Sequence, residues 1–165
     1  MRRYTTVSLL IVGVFVCCVA VAQEPEKKPP LDPHHAKFLE QMNGVKLVGK
    51  FTILGKDQDK LPTEEYEIKS ISKLPEDNKW LFNARVKYGK LDVTLPMSLD
   101  VIWSGDTPVI TLTDLTIPGL GTFSCRVLIY NGKYAGTWKH GNAGGHMFGV
   151  LEKTKPADKP ADKEQ

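Results

Sequence analysis

The stretch Lys79–Trp103, KWLFNARVKYGKLDVTLPMSLDVIW, decides the fold. Taken two residues at a time, Trp80, Phe82, Ala84, Val86 and Tyr88 fall on one side, and Lys79, Leu81, Asn83, Arg85 and Lys87 on the other. After Gly89-Lys90 the pattern resumes, with Leu91, Val93, Leu95, Met97, Leu99, Val101 and Trp103 alternating with Asp92, Thr94, Pro96, Ser98 and Asp100. Only Leu81 and Ile102 break it. A period of two sustained this long marks half-buried strands rather than a helix. Gly89 suits the positive φ of a tight turn, so the two runs read as a hairpin.

Working outward, the rest of the chain repeats the theme. Val45–Leu54 carries Val45, Leu47, Gly49, Phe51 and Ile53 in one register, and Glu64–Leu74 alternates Tyr66, Ile68 and Leu74 with Glu65, Glu67, Lys69 and Lys73. Pro75-Glu76-Asp77-Asn78 is a turn cluster. Beyond Trp103, the turn Gly105–Pro108 leads into Val109–Ile117, Pro118-Gly119 turns the chain again, and Thr122–Tyr130 places Phe123, Cys125, Val127 and Ile129 on one face. Asn131-Gly132 is a type I′ hairpin pair, followed by strands at Lys133–His140 and His146–Lys153. One short helix is predicted at His34–Asn43, with Phe38, Leu39 and Met42 on one face and Gly44 as its stop. Eight strands with short connections must be antiparallel neighbours. The expected fold is all-β: an eight-stranded up-and-down barrel with one N-terminal helix, since closure removes the sheet edges. The alternative is a two-sheet β-sandwich. Pro96 cannot donate to a ladder, so a bulge, bend or break is expected within Asp92–Trp103.

The N-terminus reads as a secretory signal peptide, residues 1–22: Arg2-Arg3, an apolar run Val7–Val21, and an Ala20-Val21-Ala22 cleavage site that makes Gln23 the first mature residue. An uncleaved anchor is the competing reading of the uncharged run Tyr4–Ala22. Bulky Val14, Phe15 and Val16 before Cys17-Cys18 argue against a lipid-attachment site. No later segment is long and apolar enough to span a membrane, so no stable span is expected after cleavage. The mature chain is expected to be exported, to the periplasm or outside the cell. Residues 23–33 (QEPEKKPPLDP) form a Pro-rich linker, 34–153 the barrel domain, and 154–165, with its Pro-Ala-Asp-Lys repeat, a disordered low-complexity tail.

Cleavage removes Arg2 and Arg3, leaving 20 basic against 19 acidic residues and a net charge of +1. That is no electrostatic footprint for nucleic acid. It also leaves Cys125 as the only cysteine, which excludes an internal disulfide. The core must therefore hold the fold, and a domain of roughly 120 residues buries about two-thirds of its unfolded surface.

Candidate functional residues lie on the inward face. Tyr66, Trp80, Phe82, Tyr88, Trp103, Phe123, Trp138 and Phe148 are the large side chains expected there. An eight-stranded barrel is either filled by such residues or holds one small ligand. The candidate interior ligand site is Tyr66, Trp80, Phe82, Tyr88, Trp103 and Trp138, an apolar wall with hydroxyl and indole N–H handles. His140 and His146 flank a Gly-rich turn and are weak metal candidates, because zinc wants three or four ligands and neither Cys nor acid stands nearby. Gly136, Gly144, Gly145 and Gly149 are followed by a strand rather than a helix, which excludes a phosphate loop. They are expected to let the barrel close at its seam, the alternative being that they leave room for a ligand beside Trp138. Cys125 alternates with Phe123, Val127 and Ile129 and reads as a buried, inert thiol. No acid–base or nucleophile set and no cofactor motif is legible, so a non-enzymatic role is expected.

The short helix, the eight meandering strands and Gly136-Thr137-Trp138 together resemble the calycin superfamily of small barrels (lipocalins, fatty-acid-binding proteins, avidin-like barrels) over about Phe38–Lys153. The lipocalin Gly-x-Trp opens the first strand; here that strand carries Gly49-Lys50-Phe51, and the motif sits in the seventh. Trp103–Pro108 and Tyr134–Gly149 also look like secreted proteins of planctomycete bacteria, which bring no activity to transfer. The resemblance implies a carrier that binds a small apolar or amphipathic ligand inside. The rival expectation is a structural or interaction module of the cell envelope with a side-chain-filled core.

Overall fold

A computed structural model describes residues 31–88 and 91–154, with the side chains of residues 87, 88 and 91 outside the description. The expected signal peptide, nearly all of the Pro-rich linker, the Gly89-Lys90 turn and the tail beyond Thr154 lie outside the described residues. Among those described, one helix and eight strands are present: α1 (Pro33–Met42), β1 (Val45–Phe51), β2 (Thr63–Lys73), β3 (Lys79–Tyr88), β4 (Leu91–Ser104), β5 (Thr107–Ile117), β6 (Gly121–Tyr130), β7 (Lys133–His140) and β8 (Ala143–Lys153). Each strand pairs antiparallel with the next, and β8 returns to β1, so the sheet is a closed barrel rather than a sandwich. No described helix is long and apolar enough to cross a membrane.

α1 starts one residue earlier than its apolar pattern suggests. Asp32 caps it, accepting from the backbone N–H of His34 at 2.8 Å, and Pro33 occupies the first turn, where its missing N–H costs nothing. Gly44, at φ +60°, releases the chain into β1. The Lys153 ammonium binds the C-terminal carbonyls of Glu40, Gln41 (3.3 Å) and Asn43 (3.1 Å), and the Asn43 side-chain oxygen accepts from the Ile71 N–H at 2.7 Å. The helix is thus fixed to both β2 and β8.

Its apolar face plugs one end of the barrel. Phe38 and Met42 are essentially fully buried, as are Val45, Trp80, Phe82, Val101 and Ile129 around them. Phe38 meets Trp80 edge-on at 5.1 Å and Trp103 at 5.7 Å, geometry worth about 0.5–1.5 kcal/mol per pair beyond area burial. This is a filled core.

Two bulges alter the simple alternation. The β2–β3 register shifts between Ile68 and Ser70, so the buried series runs Ile68 then Ile71 rather than on to Leu74. The β5–β6 register shifts between Leu112 and Leu115, where Asp114 sits at φ +48° with its N–H and carboxylate both bonded to Ser124 Oγ at 2.9 Å. Pro96, by contrast, causes no shift: the β3–β4 ladder runs through Asn83–Pro96 unbroken. The break falls on the other side of β4. Among the described residues β4 and β5 pair from Asp100–Thr111 to Ser104–Thr107, so residues 91–99 have β3 partners but no β5 partner, and Leu112 and Leu115–Ile117 have β6 partners but none in β4. Pro96 therefore stands on a local edge, where a residue without an N–H is tolerated.

Candidate functional site

Strand direction places the starts of β1, β3, β5 and β7 at the α1 end, and their last residues at the far end. The expected ligand residues divide accordingly. Trp80 and Phe82 (0 and 1 % exposed) lie under Phe38, and Trp103 is half-buried beneath Phe38 and the His35 ring at 5.4 Å. They form the plug. The Trp80 indole N–H, an expected polar handle, is buried with no hydrogen-bond partner; the His35 ring stands edge-on to it at 5.3 Å. The side chain of Tyr88 is outside the description. Tyr66 and Trp138 belong to the far half, away from Trp80, Phe82 and Trp103.

The far half has a different texture. Phe51, Tyr66, Met97, Leu112, Leu115, Cys125 and Trp138 pack against the core but remain half-buried. Trp138 is held in place by its indole N–H on the Thr52 carbonyl (3.1 Å) and by Phe51 edge-on at 5.7 Å. The unpaired stretches of β4 and β5 lie in this half as well. Burial pushes the Cys125 thiol up to about 11, which leaves it protonated at neutral pH and a poor nucleophile.

One polar cluster sits inside. Tyr134, Gly149, Gly49 and Glu64 form a single cross-strand row over β7, β8, β1 and β2. The Tyr134 side chain crosses the two glycines and donates its hydroxyl to Glu64 Oε1 at 2.7 Å; the Tyr66 hydroxyl donates to Oε2 at 3.2 Å. A Cβ at Gly49 would come within 2.4 Å of the Tyr134 hydroxyl and 2.1 Å of the Phe148 carbonyl; one at Gly149 would meet Val48 O at 2.2 Å. Glycine is needed here so that β1 and β8 can close beneath a phenol. At Gly136 and Gly145 the space is likewise filled by backbone, Arg126 O and Thr52 O. The glycines of the seam make room for the chain itself. Glu64 is the single carboxylate at an inward position among the described residues, and it forms no ion pair with any of their cations. Burial pushes it above the usual carboxylate range, partly offset by the two phenol donors. Both phenols are in turn held protonated by burial and by the carboxylate they face.

One expectation is corrected. Phe148 points outward, 44 % exposed, because the inward series of β8 is Gly145, Met147, Gly149, Leu151. Phe148 instead ends an outer row of cross-strand neighbours, Ile102–Val109–Leu128–Ala135–Phe148, with Tyr130 and Val150 beside it. His140 pairs with Ala143 and stacks on Phe123 at 4.2 Å, while His146 pairs with Thr137 and faces Thr52 Oγ1 at 3.2 Å. No metal-ligating group of three or more is present among the described residues. Sequence reasoning missed Glu64, whose parity with Tyr66 was its only signal.

No protein-family model, curated protein or solved structure matches the chain. The closed eight-stranded antiparallel meander is compatible with a calycin-like fold; the planctomycete resemblance gains nothing from these comparisons.

Proposed function

We propose that the chain is an exported, calycin-like barrel that holds a small apolar or amphipathic ligand in its far half and catalyses no reaction. The observation that carries this reading is the contrast between the two ends. At the α1 end Phe38, Met42, Val45, Trp80, Phe82, Val101 and Ile129 are sealed, with Leu39, Trp103 and Leu151 partly buried beside them; in the far half, where Glu64 opens β2, Met147 is sealed but Phe51, Tyr66, Met97, Leu112, Cys125 and Trp138 stay partly buried. Apolar walls with a few convergent polar groups are what small-molecule sites are built from. β4 and β5 pair only over their α1-end residues, so their far stretches share no ladder. The test is uptake of an environment-sensitive apolar dye by the folded protein. Trp138→Ala should weaken uptake several-fold, whereas Phe148→Ser, on the outside, should not. Equal behaviour of the two variants would contradict the reading.

A second reading, an interaction module of the cell envelope, draws on the outer apolar row, where Tyr130 is 60 % exposed and Phe148 and Val150 each 44 %. Singly exposed apolar residues are ordinary, but a continuous row across five strands is a contact surface in kind. Loss of self-association or of a bound partner in Phe148→Ser, with dye uptake intact, would favour it.

A further inference from the structure

The geometry points to Glu64, with the hydroxyls of Tyr66 and Tyr134, as the recognition site for a cationic head group: the interior ligand is an amphipathic amine, its protonated nitrogen on the Glu64 carboxylate and its apolar body along Trp138 and Phe51. This rests on the interior-ligand reading above and names the ligand's class.

The argument is one of charge and acceptor capacity. A carboxylate taken out of water is costly unless it is paired, and proteins commonly supply a lysine or arginine. Among the described residues, no ion pair reaches Glu64. Lys46 pairs with Glu65, Lys79 with Asp100, and Arg85 with Asp92 and Glu67, all on the outer face. Lys153 binds the end of α1. Glu64 is left with two neutral donors, one on each oxygen. An ionised carboxylate has about four acceptor sites, so about two stay open. The phenols orient the carboxylate without neutralising it. The raised proton affinity of Glu64 is what an interior carboxylate lacking a counter-charge shows, and an ammonium group supplies that counter-charge. A metal ion fits poorly, since one carboxylate and two protonated phenols fall short of the three to eight ligands that Zn²⁺ or Ca²⁺ takes. A carboxylate-headed ligand would meet like charge.

The site is also reachable. Glu64 is only half-buried, and it lies in the half of the barrel away from the α1 plug. Tyr134 is fixed over Gly49 and Gly149, so the acceptor geometry is set before any ligand arrives.

The test is a head-group series on the intact mature chain: n-octylammonium, 1-octanol and octanoate, with dissociation constants measured by calorimetry and by quenching of tryptophan fluorescence at pH 7. The expected order is ammonium tighter than alcohol by about tenfold, with octanoate weakest, and Glu64→Gln bringing ammonium and alcohol to parity. Tyr66→Phe should reduce the ammonium preference without abolishing it. If alcohol and ammonium bind the wild-type chain equally, the cation site is refuted while the apolar site stands; this outcome needs no variant and is immune to a folding defect. A preference that survives in Glu64→Gln also refutes it. If none of the three binds, the interior-ligand reading falls and the proposal falls with it.

Discussion

Gly49→Ala sets two physical effects against each other. Alanine in a strand ordinarily gains about 0.5–1 kcal/mol over glycine, through the entropy that glycine loses on folding. At Gly49 the added methyl would stand 2.1 Å from the Phe148 carbonyl, 2.4 Å from the Tyr134 hydroxyl and 2.8 Å from the Gly149 Cα. Two of these are backbone atoms, so relief requires β8 to move away from β1. Overpacking of this kind costs about 1–3 kcal/mol. Displacing the phenol forfeits a hydrogen bond to a charged acceptor, about 1.5–3 kcal/mol. The balance is a loss of about 2–5 kcal/mol, a large share of the 5–15 kcal/mol typical of a domain. Urea and thermal melts followed by tryptophan fluorescence measure it, and a fall in Tm of about 10 °C or more is expected at this size. In a Tyr134→Phe background the same change should cost less, because the hydroxyl is already gone. A neutral or stabilising Gly49→Ala would refute the close approach of β1 and β8 beneath Tyr134.

Other outcomes follow from the same packing and charge placement. Trp80→Ala, at a fully buried site beneath Phe38, should lose about 3–5 kcal/mol, and Trp138→Ala markedly less, as paired urea melts will show. Burial raises Glu64 in the folded state, so its stabilising contribution is complete below the ordinary value of 4.5 and is lost as pH rises through the folded value; relative to Glu64→Gln, the wild-type urea midpoint should therefore fall over that interval. A midpoint difference that is flat with pH would contradict the burial of this carboxylate. Cys125, pushed up to about 11, should react slowly with a disulfide reagent at pH 8 and rapidly once the chain is unfolded.

The barrel was legible because strand patterning and turn chemistry agree along the chain. Asn131 and Gly132, at φ +49° and +71°, turn as an Asn-Gly pair should, and the alternation in Lys79–Trp103 reads the inward face of both strands wherever side chains are described. The errors occur where patterning is ambiguous. In β8 both faces carry apolar residues, Met147 and Leu151 inside against Phe148 and Val150 outside, and the inward glycines contribute no hydrophobic signal, so Phe148 reads as core. In β2 and β5 a one-residue bulge shifts the phase, and nothing local marks Ile68–Ser70. Pro96 signals an interrupted ladder, but a sequence cannot say on which side of the strand the interruption falls. The site was least legible of all. Tyr134 and Glu64 are 70 residues apart and meet only because β8 closes onto β1. An acid at the start of a strand ordinarily reads as solvent-facing.

The central claim, that the far half of the barrel holds a small molecule, is tested most directly by native mass spectrometry of the mature chain, residues 23–165, purified from its own host. The account predicts a reproducible added mass that is lost on denaturation and reduced in Trp138→Ala. A bare protein mass, together with no uptake of apolar dye or of octylammonium, would contradict it.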